Sequence, residues 1–464
     1  MWRLRQPQKT GKLDYRRRDN VEHEGDGGVP SNFHGELKNQ NGVHLFERIL
    51  SRSNLNQAYL QVVRNKGAAG VDGMTYDQLL PHLKTHREEL LESLYNGTFR
   101  PQPVLRVEIP KPDGGIRKLG IPTVIDRMIQ QAINQALQPL FDPTFSDNSF
   151  GFRPKRSAHQ AIIQAKTYYE QGYKHVVDID MKAYFDTVNH DKLMYYIEQK
   201  VQDKRVLRLI RQYLKSGIMV NGLFEASEEG TPQGGNLSPL LSNIYLNEFD
   251  KLLTERGHKF VRYADDCNIY VKSKRAGYRV MESSIKFLEG KLKLTVNREK
   301  SAVGSPLRRK FLGFCIHPTR NGVKIRPHQQ AKTTVKRKLK KITKRNRGRS
   351  VEVLFKQIKQ LMTGWINYYG ISIMKGFIAD LNGWLKRRIR QYIWKQWKLP
   401  RTKWQNLIQL GIDEQKAYEW SNTRKGYWRI SASFILHRSL TDEKLVQLGY
   451  MDLSKKYQFV HSNY

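Results

Sequence analysis

The chain has 464 residues, of which 39% are apolar and 11% aromatic, enough to bury a sizeable core in one to three domains. Its net charge of +38 exceeds what solubility needs and points to a polyanionic partner, while no apolar run approaches the roughly 20 residues that span a bilayer. The two cysteines, Cys267 and Cys315, exclude a disulfide framework and a four-cysteine zinc site, so a reducing, intracellular setting is expected.

Residues 1–40 are polar, charged and glycine-bearing, and read as a flexible tail. They lack the apolar core of a signal peptide, and Asp14 and Asp19 argue against a transit peptide. Helical spacing begins at Leu45, followed by the glycine-punctuated RNKGAAGVDG (64–73). The segment PVLRVEIPKPDGGIRKLGIP (103–122) predicts two strands around the turn at 112–115. Thr123, with Asp126 three residues on, predicts a capped helix carrying Ile125, Met128, Ile129, Ala132 and Ile133. Ser157 opens another helix to about Gln171. KHVVDID (174–180) predicts a strand, and a helix starts near His190. GTPQGGNLSPLLSNIYLNEFD (230–250) reads as a loop leading into an apolar helix, and strands and helices alternate up to FLGF (311–314). The expectation is an α+β body over residues 41–320.

The composition then shifts. Between Glu299 and Glu352 there is no acidic residue, while 17 Lys or Arg lie from Lys300 to Arg349. Leu354, Ile358, Leu361, Trp365 and Tyr368 predict one bundle stripe, and Phe377, Leu381, Trp384 and Leu385 begin another. Seven of the eight tryptophans lie between Trp365 and Trp428. A domain boundary is expected near residue 320, followed by a helical domain over 321–403 and a small basic region over 404–464.

The chemistry centres on FVRYADDCNIYV (260–271), where Asp265 and Asp266 interrupt an apolar hairpin. Adjacent aspartates usually mark a surface turn. Here the flanking segments are apolar enough to be partly buried, and two carboxylates in such a place need a cation or a shifted pKa. In VVDIDMKAYFD, Asp178 and Asp180 face one side of a strand. Carboxylates from that strand end and the hairpin tip could hold two Mg²⁺ ions about 4 Å apart, the arrangement that serves in-line phosphoryl transfer.

YADD (263–266), DIDMKAYFD (178–186), TPQGG (231–235) and FLGF (311–314) stand in reverse-transcriptase order. The chain resembles the bacterial group II intron-encoded reverse transcriptases and maturases, from about Asn54 to beyond Trp428. The resemblance implies a right-hand polymerase, with fingers and palm followed by an all-α thumb, also called domain X. It gives Asp180, Asp265 and Asp266 the role of metal-binding catalytic triad, with two Mg²⁺, and leaves Asp178 and Asp186 structural. Phe185 matches the steric gate that disfavours a 2′-hydroxyl. Lys111 and Arg117 match fingers residues that bind the incoming dNTP, Gln233 the nucleotide-pocket loop, and Lys300 a basic residue near the site. FLGF resembles the primer grip.

Two basic segments suit RNA. Lys336, Arg337, Lys340, Lys341, Lys344 and Arg345 lie in the acid-free run, where self-repulsion is costly unless a polyanion supplies counter-charge. Arg387 and Arg388 lie in KRRIRQYIWKQWK (386–398), which interleaves cations with Tyr392, Trp394 and Trp397, a pattern suited to stacking plus phosphate contacts, although some of the tryptophans must be core. After Trp428 the sequence offers His437 and His461 but no cysteine, so the form resembles endonuclease-lacking, class C lineages. The expected partners are group II intron RNA, as template and splicing partner, a DNA target or primer, and dNTPs, with no membrane. The expected setting is the bacterial cytoplasm, nucleoid-associated when on DNA. A domesticated relative acting in phage defence or DNA repair is the alternative.

Overall fold

The computed structural model describes residues 44–110, 115–220, 223–225, 230 and 234–464. The expected tail over 1–40, Lys111 and Gln233 lie outside the described residues.

Helices α1 (Leu45–Leu50), α2 (Arg52–Asn65) and α3 (Leu79–Tyr95) lead into strands β1 (Val104–Pro110) and β2 (Ile116–Ile121). These strands pair antiparallel, with Ile109 opposite Arg117. The short strands β4 (Ile218–Val220) and β5 (Leu223–Glu225) extend them into a sheet of order β2-β1-β4-β5. Helix α4 (Val124–Phe141) begins where the sequence predicts: the Thr123 hydroxyl accepts from the Asp126 backbone N–H and donates to its carboxylate at 2.7 Å. The glycine-rich loop before α3 packs on this helix start, and Arg127 donates to the Ala68 carbonyl.

The palm sheet has order β6-β7-β3-β8, built from β3 (His175–Ile179), β6 (Lys259–Tyr263), β7 (Asp266–Val271) and β8 (Ala302–Gly304). All its pairings are antiparallel. Val177 and Ile179 of β3, at most 1% exposed, are roofed by α8 (Ser238–Glu255) and α9 (Lys274–Gly290), and each such side chain contributes roughly 1.5–3 kcal/mol. Helix α5 (Ala158–Glu170), capped by Ser157 as expected and closed by a capping box with Gln160, covers the other face through Ala161, Ile162 and Ala165. Helices α6 (His190–Glu198) and α7 (Lys204–Leu214) complete this core.

The division expected near residue 320 falls in the turn of a hairpin, β9 (Phe314–Thr319) with β10 (Gly322–Pro327). The helical part begins at α10 (Gln329–Ile342), followed by α11 (Val351–Tyr369), α12 (Lys375–Gln396) and six short helices between Pro400 and His461. The buried seam of α11 is Leu354, Phe355, Ile358, Met362 and Ile366. The predicted stripe drifts off this seam after Ile358, because α11 is apolar on two sides. Tyr368 and Tyr369 pack instead on the FLGF segment of the palm, where the Tyr368 hydroxyl donates to the Leu312 carbonyl at 2.9 Å.

The structure sorts the aromatic residues of α12 that the sequence left open. Tyr392 and Trp394 are 2% and 1% exposed: Tyr392 continues the Leu385–Ile389 spacing, and Trp394 lies off that stripe but is enclosed because every residue from Ile389 to Trp394 is buried. They are core residues and have no surface to offer a base. Among the described residues no helix is long and apolar enough to cross a membrane.

Candidate nucleotidyl-transfer site

The register of the palm sheet assembles the carboxylates. Strand β3 runs antiparallel to β7, with Asp178 opposite Asn268 and Ile179 opposite Cys267. The residue that follows β3, Asp180, therefore arrives beside Asp266 at the start of β7. Strands β6 and β7 are joined by a two-residue turn, with Tyr263 opposite Asp266 and Ala264-Asp265 at the tip. Asp180 is held through its backbone: its N–H donates to the Ser301 hydroxyl at 3.0 Å, and its carbonyl accepts from Asn297 N–H at 2.8 Å. Lys300 lies on that same loop.

The electrostatics are those of a site short of positive charge. Burial pushes the Asp265 carboxyl above its ordinary range, Asp180 adds to the shift, and Arg117 and Arg262 oppose it. Asp266 opens to solvent at the cleft mouth but sits in a crowd of protein atoms. Burial, then Asp265, Asp178 and Asp180, raise it to about 6, with Lys310 opposing. Asp178 is also raised by burial, but it pairs with Arg309 at 3.4 Å, which suits a structural role. Asp186 is exposed, on the short turn after Ala183.

Among the described residues no three His, Cys, Asp or Glu side chains are grouped closely enough to hold a metal ion by themselves. The donor chemistry nevertheless fits a hard divalent ion. Carboxylate oxygens are its ligands, and Mg²⁺ is commonly held by one or two carboxylates completed by substrate phosphates and water.

Arg117 and Phe185 are the other described residues of the predicted nucleotide pocket. Arg117 is exposed on β2 and acts on Asp265. Phe185 is half-buried, edge-on to Tyr184 at 5.1 Å. Its carbonyl and Asp186 abut Gly230, where a Cβ would come within 2.8 Å of both. The end of the TPQGG segment docks on β2: Gly234 has φ +131°, and a Cβ there would stand 2.4 Å from the Gly120 carbonyl oxygen. Only glycine fits this close approach.

Sequence reasoning missed the support beneath the aspartates. Arg262, fully buried on β6, makes a bidentate pair with Asp250 of α8, at 2.6 to 3.0 Å. Its remaining nitrogen donates to Asn243 Oδ1 at 3.0 Å and to the Ala264 carbonyl at 2.9 Å. Asn243 in turn donates to the Gly151 carbonyl at 2.8 Å. Gly151 lies so close under the turn that a Cβ would meet the Ala264 nitrogen at 2.3 Å. The signal available in the sequence was an arginine inside an otherwise apolar strand. Lys310 was also missed; it acts on Asp266 and donates to Gln330 in the first turn of α10.

In the helical part, Lys336, Arg337, Lys340, Lys341, Lys344 and Arg345 are exposed, as expected. Arg387 and Arg388 are occupied within the chain. Arg388 caps the end of α10 by donating to the Thr343 hydroxyl and carbonyl, and Arg387 donates to the Trp428 carbonyl at 3.0 Å.

Comparison with known proteins gives the family. Residues 109–316 match the family described as reverse transcriptase (RNA-dependent DNA polymerase), and residues 332–409 match the group II intron maturase-specific domain. Protein YkfC of Escherichia coli (strain K12) is 35% identical over 289 residues, 54% of this chain and 76% of YkfC. The group II intron-encoded protein LtrA of Lactococcus lactis subsp. cremoris is 31% identical over 365 residues, 64% of this chain and 58% of LtrA. A putative COX1/OXI3 intron 2 protein of Saccharomyces cerevisiae is 31% identical over 243 residues, 51% of this chain and 28% of its own length. The chain thus spans little over half the length of LtrA and far less of the yeast protein. It belongs to the group II intron-encoded reverse transcriptase and maturase family, with a reverse-transcriptase fingers and palm followed by a helical maturase domain.

Proposed function

We propose that the chain copies intron RNA into DNA at the Asp180–Asp265–Asp266 cleft and binds the same RNA through the basic face of α10 to assist splicing. The observation that carries the reading is the meeting of Asp180, from the end of β3, with the β6–β7 turn, opposite Arg117.

Asp180, Asp265 and Asp266 would hold two Mg²⁺ ions, which when bound activate the primer 3′-hydroxyl and stabilise the leaving pyrophosphate. The protein's own residues do the positioning. Arg117 offers a planar fork to the dNTP triphosphate, with Lys111 as the second cation of that hairpin. Phe185 crowds the sugar edge, so a 2′-hydroxyl is disfavoured. The TPQGG loop, through Gln233, lines the nucleotide pocket, and Lys300 adds positive charge beside Asp180. Arg262 keeps the turn rigid beneath the reacting groups. A DNA 3′ end serves as primer, and a bacterial cytoplasmic setting, with recruitment to the nucleoid on DNA, accords with the charge of +38 and the bacterial relatives.

Two measurements test the two halves. Primer extension on an RNA template should be lost in Asp265→Asn while RNA binding persists; normal copying by that variant overturns the metal assignment. Neutralising Lys336, Arg337, Lys340 and Lys341 together should weaken RNA binding and make the slope of log affinity against log salt shallower by about 3 to 4. An unchanged slope overturns the RNA-binding face.

A further inference from the structure

Between α10 and α12 lies an open groove of about 750 Å³, lined by Lys336, Arg337, Lys340, Trp384, Gln391 and Trp428, among others. No carboxylate lines it. Three features coincide there. The cations on α10 are exposed. Gln391, 8% exposed as a residue, brings its amide to the groove wall. Two indoles form walls, Trp428 being 41% exposed and Trp384 half-buried.

The walls are fixed in place. The Arg387 guanidinium lies 3.8 Å from the Trp428 ring centroid and donates to the Trp428 carbonyl. Arg388, tied to Thr343, and Lys336 lie 5.3 and 5.2 Å from the Trp384 ring. Cations for phosphate, a rigid aromatic face for a planar ring, and a donor–acceptor amide for a base edge together describe one ligand class.

We infer that this groove seats an unpaired RNA nucleotide, a base swung out of a bulge or loop, with its phosphates on Lys336, Arg337 and Lys340. A base still paired in a duplex has its edge engaged and its faces stacked, so it offers Gln391 and the indoles nothing. The inference rests on the proposed RNA-binding role of α10 and adds to it a choice of RNA structure: the lysines and arginine hold any RNA, and the groove selects an extruded base. It is separate from the carboxylate cleft, which takes dNTP and primer.

The test uses the full chain and two RNA hairpins that differ by one bulged nucleotide. The wild-type chain should prefer the bulged hairpin. Trp428→Ala should lose about tenfold of that preference, the size of a lost base stack, with binding to the fully paired hairpin unchanged. Trp428→Phe should retain most of the preference, and equal thermal unfolding of both variants excludes a folding defect. Gln391→Leu should change which bulged base is preferred. A preference untouched in Trp428→Ala overturns the groove assignment, as does equal preference for the same bulge in a DNA hairpin. If neutralising the α10 cations leaves the binding of both hairpins unchanged, the RNA-binding reading itself fails; loss of affinity for both with the bulge preference kept supports the division of labour.

Discussion

The Arg262 guanidinium donates to the carbonyl oxygen of Ala264 at 2.9 Å, and so ties the first residue of the β6–β7 turn to the centre of the palm. Ala264 has φ 57°, a left-handed conformation that costs a non-glycine residue about 1–3 kcal/mol and persists only where its surroundings impose it. The surroundings are the Arg262–Asp250 pair, fully buried at 0% exposure on both sides, together with Asn243 and the Cβ-free surface of Gly151. Replacing Arg262 by Met should destabilise the fold by about 3–5 kcal/mol, because Asp250 is left charged and unpaired. Arg262→Lys keeps a charge for Asp250 but loses the fork that bonds Asp250 and Ala264 together. It should lower kcat for primer extension by about tenfold or more, with little change in the KM for dNTP. Urea unfolding and steady-state kinetics measure the two effects; equal losses in kcat and dNTP affinity would argue against a positioning role.

The neighbouring carboxylates should separate cleanly. Asp180 follows directly after β3, and Asp265 and Asp266 occupy the opposing turn, whereas Asp178 is neutralised by Arg309 at 3.4 Å. Asp180→Asn and Asp266→Asn should therefore reduce cDNA synthesis by several orders of magnitude, like Asp265→Asn. Asp178→Asn should cost less than tenfold. Primer extension at a fixed divalent-ion concentration compares all four, and chelation of the divalent ion should stop synthesis in the wild-type chain. A deeper loss in Asp178→Asn than in Asp180→Asn would reverse the assignment.

Phe185 offers a third comparison. It packs edge-on against Tyr184, which is buried at 2% exposure, so the ring direction is set by the core. Phe185→Ala should raise the use of rNTPs relative to dNTPs by about tenfold or more, read as the ratio of kcat/KM values. Phe185→Tyr, which keeps the bulk, should leave the discrimination in place. An unchanged ratio in the alanine variant would leave Phe185 as a core aromatic.

What was legible in the sequence was local. The Thr123 and Ser157 caps, the apolar strand ending at Asp180, and the YADD hairpin each declare themselves within a few residues, because capping and strand alternation are short-range physics. The support under the turn was not legible. Arg262 among apolar neighbours is intelligible only once Asp250, 12 residues earlier on another element, is seen to meet it. The aromatics of α12 were legible in part: Leu385, Ile389 and Tyr392 follow helical spacing, whereas Trp394 lies off that stripe and is core because every residue from Ile389 to Trp394 is buried. Helix α11 shows the opposite difficulty. It is apolar on two faces, so periodicity does not choose between its bundle seam at Met362 and Ile366 and its palm contact at Tyr368.

Asp126 carries a pH dependence that is independent of the catalytic cleft. Its carboxylate accepts from the Thr123 hydroxyl at 2.7 Å and from Gln102 N–H at 3.2 Å, joining the start of α4 to the approach to β1. Burial nevertheless raises its pKa to about 6 from an ordinary 3.8; Thr123, Gln102 and Tyr213 oppose the shift, and Asp72 adds to it. Because the folded pKa lies above the unfolded one, the folded chain binds the proton more tightly. Its contribution to stability is therefore greatest below about pH 4 and is lost as pH rises through about 6, a swing on the order of 3 kcal/mol. Asp126→Asn removes this titration and keeps an oxygen for Thr123 and Gln102. The difference in unfolding free energy between Asp126→Asn and the wild-type chain should grow in favour of the variant from pH 4 to pH 7. Denaturant titrations at pH 4, 5, 6 and 7 measure that difference, and a constant offset across the series would mean that Asp126 does not titrate in this window.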